Sequence, residues 1–199
     1  QGSLTQRTFP GGASTSSQEG GRYPGCLTPD FSPKAPVDAY SLFGSRMVSV
    51  VVSSATAGLH LAALALNLQP GCGGITAPIT FVASANCLLY AGATVDFADV
   101  DARTGLLDPD SLDRAITRAA AEGSSPGVVV AVSYAGAVPD LESIGSICRR
   151  HGWRLIEDAA HSFGATYGAH VARIRSGSCA HTDAAVLSFH PVKLICSGE

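Results

Sequence analysis

A single lysine stands in an apolar stretch near the end of the chain, in Ser188-Phe189-His190-Pro191-Val192-Lys193. A lysine in such surroundings is costly unless its stem snorkels or its amine has work to do. Desolvation lowers the pKa of an ammonium, and the free amine then suits Schiff-base chemistry. Upstream, Glu157-Asp158-Ala159-Ala160-His161 closes an apolar run with two carboxylates and an imidazole. A carboxylate buried there requires a cationic partner. Earlier still, Ser53-Ser54-Ala55-Thr56-Ala57-Gly58 places hydroxyls and small side chains where a helix begins. Free amides at a helix N-terminus hold anions, and small residues let a phosphate approach. Each piece also has a plain reading: a surface lysine after a turn, a solvated strand end, a simple helix cap.

Taken together, the three pieces suggest one cofactor, pyridoxal 5'-phosphate. The lysine would hold its aldehyde as an imine, and the carboxylate would pair with the pyridinium nitrogen and keep the ring an electron sink. An aromatic face for the ring is available at Phe81, after Pro78-Ile79-Thr80. The sequence has no G-x-G-x-x-G and no G-x-x-x-x-G-K-[ST], so neither a dinucleotide fingerprint nor a P-loop supports a rival phosphate site.

These residues need elements to position them. The β-branched run at 47–52 predicts a strand, and the Ala/Leu-rich stretch at 57–68 a buried helix. Further strands are predicted at 75–80, 94–100, 127–133, 153–158 and 183–189. Helices are predicted at 37–46, 84–91, 111–121 and 141–151, the last stopped by Gly152. Strands alternate with helices and are apolar on both faces. That pattern predicts an α/β fold, a three-layer sandwich with a mainly parallel sheet, whose ligands lie beyond the carboxyl ends of the strands. Residues 1–36 form a low-complexity, flexible N-terminal segment rich in Gly, Ser, Thr and Pro, and 37–199 form the domain.

Composition narrows the class. Of 199 residues, 46% are hydrophobic and only 15% charged, which excludes a disordered chain. A net charge of −3 argues against nucleic acid as a partner. Between residues 47 and 95 no side chain is formally charged, but Pro70, Gly71, Gly73, Gly74 and Pro78 interrupt the stretch, so no membrane span is expected. Six cysteines without metal-site spacing read as small buried hydrophobes of a reducing compartment, the cytoplasm. His60 reads as a core histidine. Asp99 and Asp101 are weak metal candidates, and no metal site is assigned. The chain begins with Gln1 and stops at Glu199 directly after an apolar stretch, as a piece of something longer would.

The segments SSATAGLHLAALAL, ITAPITFVASANCLLYAGATVDFADVD, VSYAGAVPDLESI, HGWRLIEDAAHSFGATYG and LSFHPVKLICSGE occur in one order. In that order they resemble the DegT-type nucleotide-sugar aminotransferases, fold-type I enzymes of pyridoxal phosphate. The form SFHPVK is similar to that of transaminases making 4-amino-4,6-dideoxy sugars, including those of the pseudaminic-acid pathway. By position, the resemblance implies Lys193 as the Schiff-base lysine, Asp158 on the pyridine nitrogen and His161 near the ring hydroxyl. Phe81 would stack on the ring. Thr56, Ala57 and Ser188 would bind the phosphate. The resemblance also implies an amino-acid donor, glutamate, a keto-sugar nucleotide acceptor and a homodimer of the full-length form. Departures are visible. Gly71-Cys72-Gly73-Gly74 replaces an acidic G-D-E-V turn, and the rest of the large domain and the small C-terminal domain are absent. Two other readings stand beside this one: a non-catalytic remnant that keeps the fold, and a phosphate-binding α/β module without pyridoxal chemistry.

Overall fold

A computed structural model of the chain describes residues 7–8, 14–15, 48–168 and 173–196. Arg7–Thr8 (β1) pairs antiparallel with Ser14–Thr15 (β2). The predicted helix at 37–46 lies outside the described residues. The chain divides into two units near residue 51, and the elements named next belong to the second.

Its order is α1 (Ala55–Ala65), β3 (Cys72–Thr76), α2 (Ala83–Tyr90), β4 (Thr94–Phe97), α3 (Pro109–Ala121), β5 (Ser125–Val132), α4 (Leu141–His151), β6 (Arg154–Asp158), β7 (Thr166–Tyr167), β8 (Ile174–Arg175) and β9 (Ala184–Val186). Five strands form one sheet in the order β4-β3-β5-β6-β9, every pair parallel. β7 and β8 form a separate antiparallel pair.

Side-chain alternation along the strands builds the layers. In β5, Val129 and Ala131 join Ile75, Leu112, Ile116, Leu141, Ile144 and Leu155 on the face covered by α3 and α4. Val128 and Val130 join Leu59, Ala63, Leu88, Ile156 and Val186 on the face covered by α1 and α2. A sheet buried on both faces needs strands apolar on both faces, and β5 is buried from Gly127 onward. The predicted three-layer parallel architecture is the observed one.

Local signals set the helix ends. Asp108 caps α3, its carboxylate accepting from the Ser111 amide at 2.7 Å. Asp140 caps α4 by accepting from Ser143 at 3.1 Å, and Gly152 ends that helix at φ 73°, in the left-handed region.

Three expectations are corrected. The run 48–52 is not a strand; Val48 is 91% exposed, and no strand among the described residues pairs with it. β propensity measures fit to a pleated, half-buried surface, and without a partner strand it builds nothing. The helix at 57–68 is not buried all round. α1 starts at Ala55 and buries Leu59 and Ala63, while Leu61 and Leu64 stay exposed. The glycine-rich segment is mostly strand rather than turn. Gly71, at φ 88°, makes the turn, and Cys72, Gly73 and Gly74 enter β3. A Cβ on Gly73 would lie 2.4 Å from the Trp153 ring, and one on Gly127 would lie 1.7 Å from the Gly73 carbonyl oxygen. Close approach of β3 to β5 and to Trp153 is what these glycines allow.

Candidate active site

The carboxyl ends of the parallel strands share one edge of the sheet, where β6 ends at Asp158 and Tyr134 follows β5. Asp158 ends β6 and is only 5% exposed. Its Oδ2 accepts from Ser84 Oγ at 2.8 Å and its Oδ1 from the Ala160 amide at 3.2 Å. Ser84 Oγ lies 2.7 Å from Thr80 Oγ1, so Thr80, Ser84 and Asp158 form a relay between the start of α2 and the end of β6. The cationic partner expected for this carboxylate is not a side chain: among the described residues Asp158 makes no ion pair. Phe81 follows Thr80, off the end of β3 rather than on it, and is 66% exposed.

Sequence reading takes Ser84 only as the start of a helix. It is fully buried on an otherwise apolar helix face. A serine in that position has to find an acceptor, and that requirement was the available signal.

At the start of α1, Ser54 is the N-cap, and its Oγ accepts from the Ala57 amide at 3.1 Å. An anion on the Ala57 N–H would therefore have to displace the Ser54 hydroxyl. No acidic residue occupies the first turn, so the positive end of the helix is uncompensated there. A Cβ on Gly58 would come 3.0 Å from Val186 Cγ1, so α1 approaches the end of β9 closely at Gly58. The Ala159 amide donates to the Val186 carbonyl at 2.9 Å and ties the end of β6 to the end of β9.

Beyond β9, the Phe189 ring meets Phe163 edge-on, with centroids 5.8 Å apart. Ser188 Oγ accepts weakly from the His190 amide at 3.4 Å. The Lys193 amide closes a turn on the His190 carbonyl at 2.8 Å. Lys193 is half-buried, and its ammonium has no ion pair among the described residues.

His161 lies three residues past Asp158, its ring centroid 6.4 Å from that of Tyr134. Tyr134 opens a single 3-10 turn, Tyr134–Gly136, directly after β5. Ala135 in that turn sits at φ 52°, ψ 28°, a left-handed conformation that costs an L-residue roughly 1–2 kcal/mol.

Glu157 points to the opposite face of β6 from Asp158 and is 1% exposed. Its carboxylate accepts from Ser133 Oγ at 3.1 Å, from Ser176 Oγ and from the Gly177 amide at 2.9 Å. Burial pushes its pKa up, and these donors pull it back. The acidic pair at 157–158 is thus two sites, one on each face.

The cysteines divide. Burial, with the Asp158 charge adding to it, pushes the Cys87 thiol up to about 12. Burial does the same for Cys148. Cys196 is exposed, against expectation, because the segment after β9 lies on the surface. His60 is half-buried and packs edge-on against Tyr90, with centroids 5.4 Å apart. Asp101 accepts from Arg103, and no group of three or more His, Cys, Asp or Glu among the described residues could hold a metal ion. No helix among them is long and apolar enough to cross a membrane.

A parallel sheet between two helical layers, with a buried carboxylate at the end of β6 and an uncompensated helix N-terminus at α1, defines an α/β domain of the ligand-binding kind. The sequence model of the DegT/DnrJ/EryC1/StrS aminotransferase family matches residues 40–199, and the chain belongs to that family. Solved structures agree. DesI, solved in the presence of its TDP-sugar product, is 34% identical with a TM-score of 0.64 over 79% of this chain and 36% of its own. Helicobacter pylori PseC, an aminotransferase involved in the biosynthesis of pseudaminic acid, is 28% identical with a TM-score of 0.65 over 81% and 40%. The PLP form of Spr1654 from Streptococcus pneumoniae is 27% identical with a TM-score of 0.68 over 81% and 42%. The chain spans about two-fifths of the length of these proteins.

Proposed function

We propose that this chain is the cofactor-binding part of a pyridoxal-phosphate-dependent aminotransferase that moves an amino group from an amino acid to a keto-sugar nucleotide. The observation that carries the reading is Asp158: a buried carboxylate with a hydroxyl and an amide as partners and no cation. A protonated ring nitrogen is a cation of the right kind for it. The first turn of α1, with no acidic residue, fits the phosphate.

Bound pyridoxal phosphate supplies an electron sink that stabilises negative charge at the α-carbon of an amino acid. The chain's own residues would do the rest. Asp158 holds the ring nitrogen protonated, and Ser84 and Thr80 hold Asp158. Thr56, Ala57 and Ser188 bind the phosphate, and Phe81 covers one ring face. His161 contacts the ring hydroxyl. Lys193 Nζ would hold the aldehyde and, once free, would take the proton from the α-carbon of the donor. Glutamate as donor, the keto-sugar nucleotide and a homodimeric whole protein come with the family resemblance.

The test is addition of pyridoxal phosphate to the purified chain, followed by borohydride and peptide mapping. The expected result is a visible absorbance band and a pyridoxyl label on Lys193, both lost in Lys193→Ala. A label on Lys34, the one other lysine of the chain, or no label at all, overturns the reading. Phosphate binding without any label would make the chain an α/β phosphate module instead.

A further inference from the structure

Beneath the proposed site, on the other face of β6, lies a buried polar cluster that the reaction does not use. Glu157 is its centre. Its Oε1 takes Ser133 and Ser176, and its Oε2 takes the Gly177 amide. Ser176 Oγ is in turn 2.6 Å from Ser162 Oγ. Ser133, Glu157, Ser162 and Ser176 are all at least 98% buried. A carboxylate buried this deeply is expensive unless every lone pair has a partner. A leucine at this position would need none of them.

The anchored residues are next to the rim. Ser133 precedes Tyr134, Ser162 follows His161, and Glu157 precedes Asp158. Tyr134 and His161 face each other across the rim, and a Cβ on Gly136 would lie 3.5 Å from the His161 carbonyl oxygen. The cluster also reaches β6 through the backbone, where the Ser133 amide donates to the Asp158 carbonyl at 3.0 Å. Ser133 and Ser176-Gly177 are therefore pinned directly to Glu157 and Ser162 is pinned through Ser176, which ties the neighbours of Tyr134 and His161 to one side chain.

We propose that Glu157 is a positioning residue: through Ser133, Ser162 and Ser176 it holds Tyr134, His161 and Asp158 in register at the carboxyl edge of the sheet. Its relevance to the cofactor rests on the reading of Asp158 and His161 given above. Glutamine keeps the shape of the group and can be satisfied by turning the serine hydroxyls, which donate or accept. Alanine leaves Ser133 Oγ and the Gly177 amide without their acceptor, and Ser176 with Ser162 alone.

The test compares wild type, Glu157→Gln, Glu157→Ala and the double variant Ser133→Ala/Ser176→Ala by amide hydrogen exchange and pyridoxal phosphate affinity. Wild type should protect the amides of Ser133, Ala160, Ser162 and Gly177. Glu157→Ala should speed exchange at these amides by about tenfold or more, the loss of one charged hydrogen bond, with the core strands β3 and β5 unchanged. Cofactor affinity should fall by a similar factor. The double variant should show the same local pattern at smaller size, and Glu157→Gln should restore most of it. If Glu157→Ala does not fold, the double variant and Glu157→Gln carry the comparison. Uniform acceleration throughout the chain, or unchanged exchange at the four amides, overturns the proposal. A wild-type chain that binds no pyridoxal phosphate but shows the local exchange pattern would leave the positioning role standing and remove the cofactor reading.

Discussion

Asp158 and Glu157 are neighbours with opposite surroundings, and each makes a separable prediction. Asp158 depends on Ser84. Ser84→Ala removes a donor from a buried carboxylate, which should cost about 1–3 kcal/mol of stability, read by urea unfolding at neutral pH. An unchanged midpoint and slope would show that Thr80 or water replaces the bond. Glu157 predicts a pH dependence. It is an acid whose folded pKa is raised by burial. The stability it contributes is present below the ordinary carboxylate value and is lost as pH rises through the raised value. Glu157→Gln should therefore flatten the decline of stability as pH rises above the ordinary carboxylate range, measured by urea melts at several pH values. A decline as steep as in wild type would assign it to other groups.

At the scale of elements, the start of α1 is stabilised by a cap and the turn after β5 holds a strained residue. Ser54 stabilises the start of α1 by accepting from Ala57. Ser54→Ala should cost about 1 kcal/mol in thermal or urea unfolding, the usual value of an N-cap. The same change frees the Ala57 amide, so phosphate affinity should not fall in step with stability. After β5, Ala135 holds a left-handed conformation that glycine adopts freely. Ala135→Gly should stabilise the fold by up to about 1 kcal/mol, less the entropy that glycine loses. A destabilised Ala135→Gly would mean that the Ala135 methyl packs well enough to offset its backbone.

The whole molecule presents more apolar surface than a two-layer cover requires. Leu61 and Leu64 on α1 and Leu89 and Tyr90 on α2 are about half exposed, and His60 meets Tyr90 between the two helices. Contiguous apolar surface of this kind drives association. Sedimentation of the chain at rising concentration should show self-association, reduced by Leu61→Lys with Leu89→Lys. A monodisperse monomer at all concentrations would remove this prediction.

The sequence by itself determined the alternation of elements, the double-sided burial of the strands and the stop at Gly152. These are local: periodicity and capping are written in adjacent residues. It also marked Asp158, His161 and Lys193, because charge in an apolar run is visible without coordinates. Tertiary structure alone decided the rest. The run at 48–52 has strand composition and no partner, and pairing is not a local property. Ser84 reaches Asp158 across 74 positions, and Ser133 reaches Glu157 across 24. Which face each of two adjacent carboxylates takes follows from the pleat and the sheet order. Only the fold could show that Asp158 pairs with Ser84 and the Ala160 amide while Glu157 pairs with Ser133, Ser176 and the Gly177 amide.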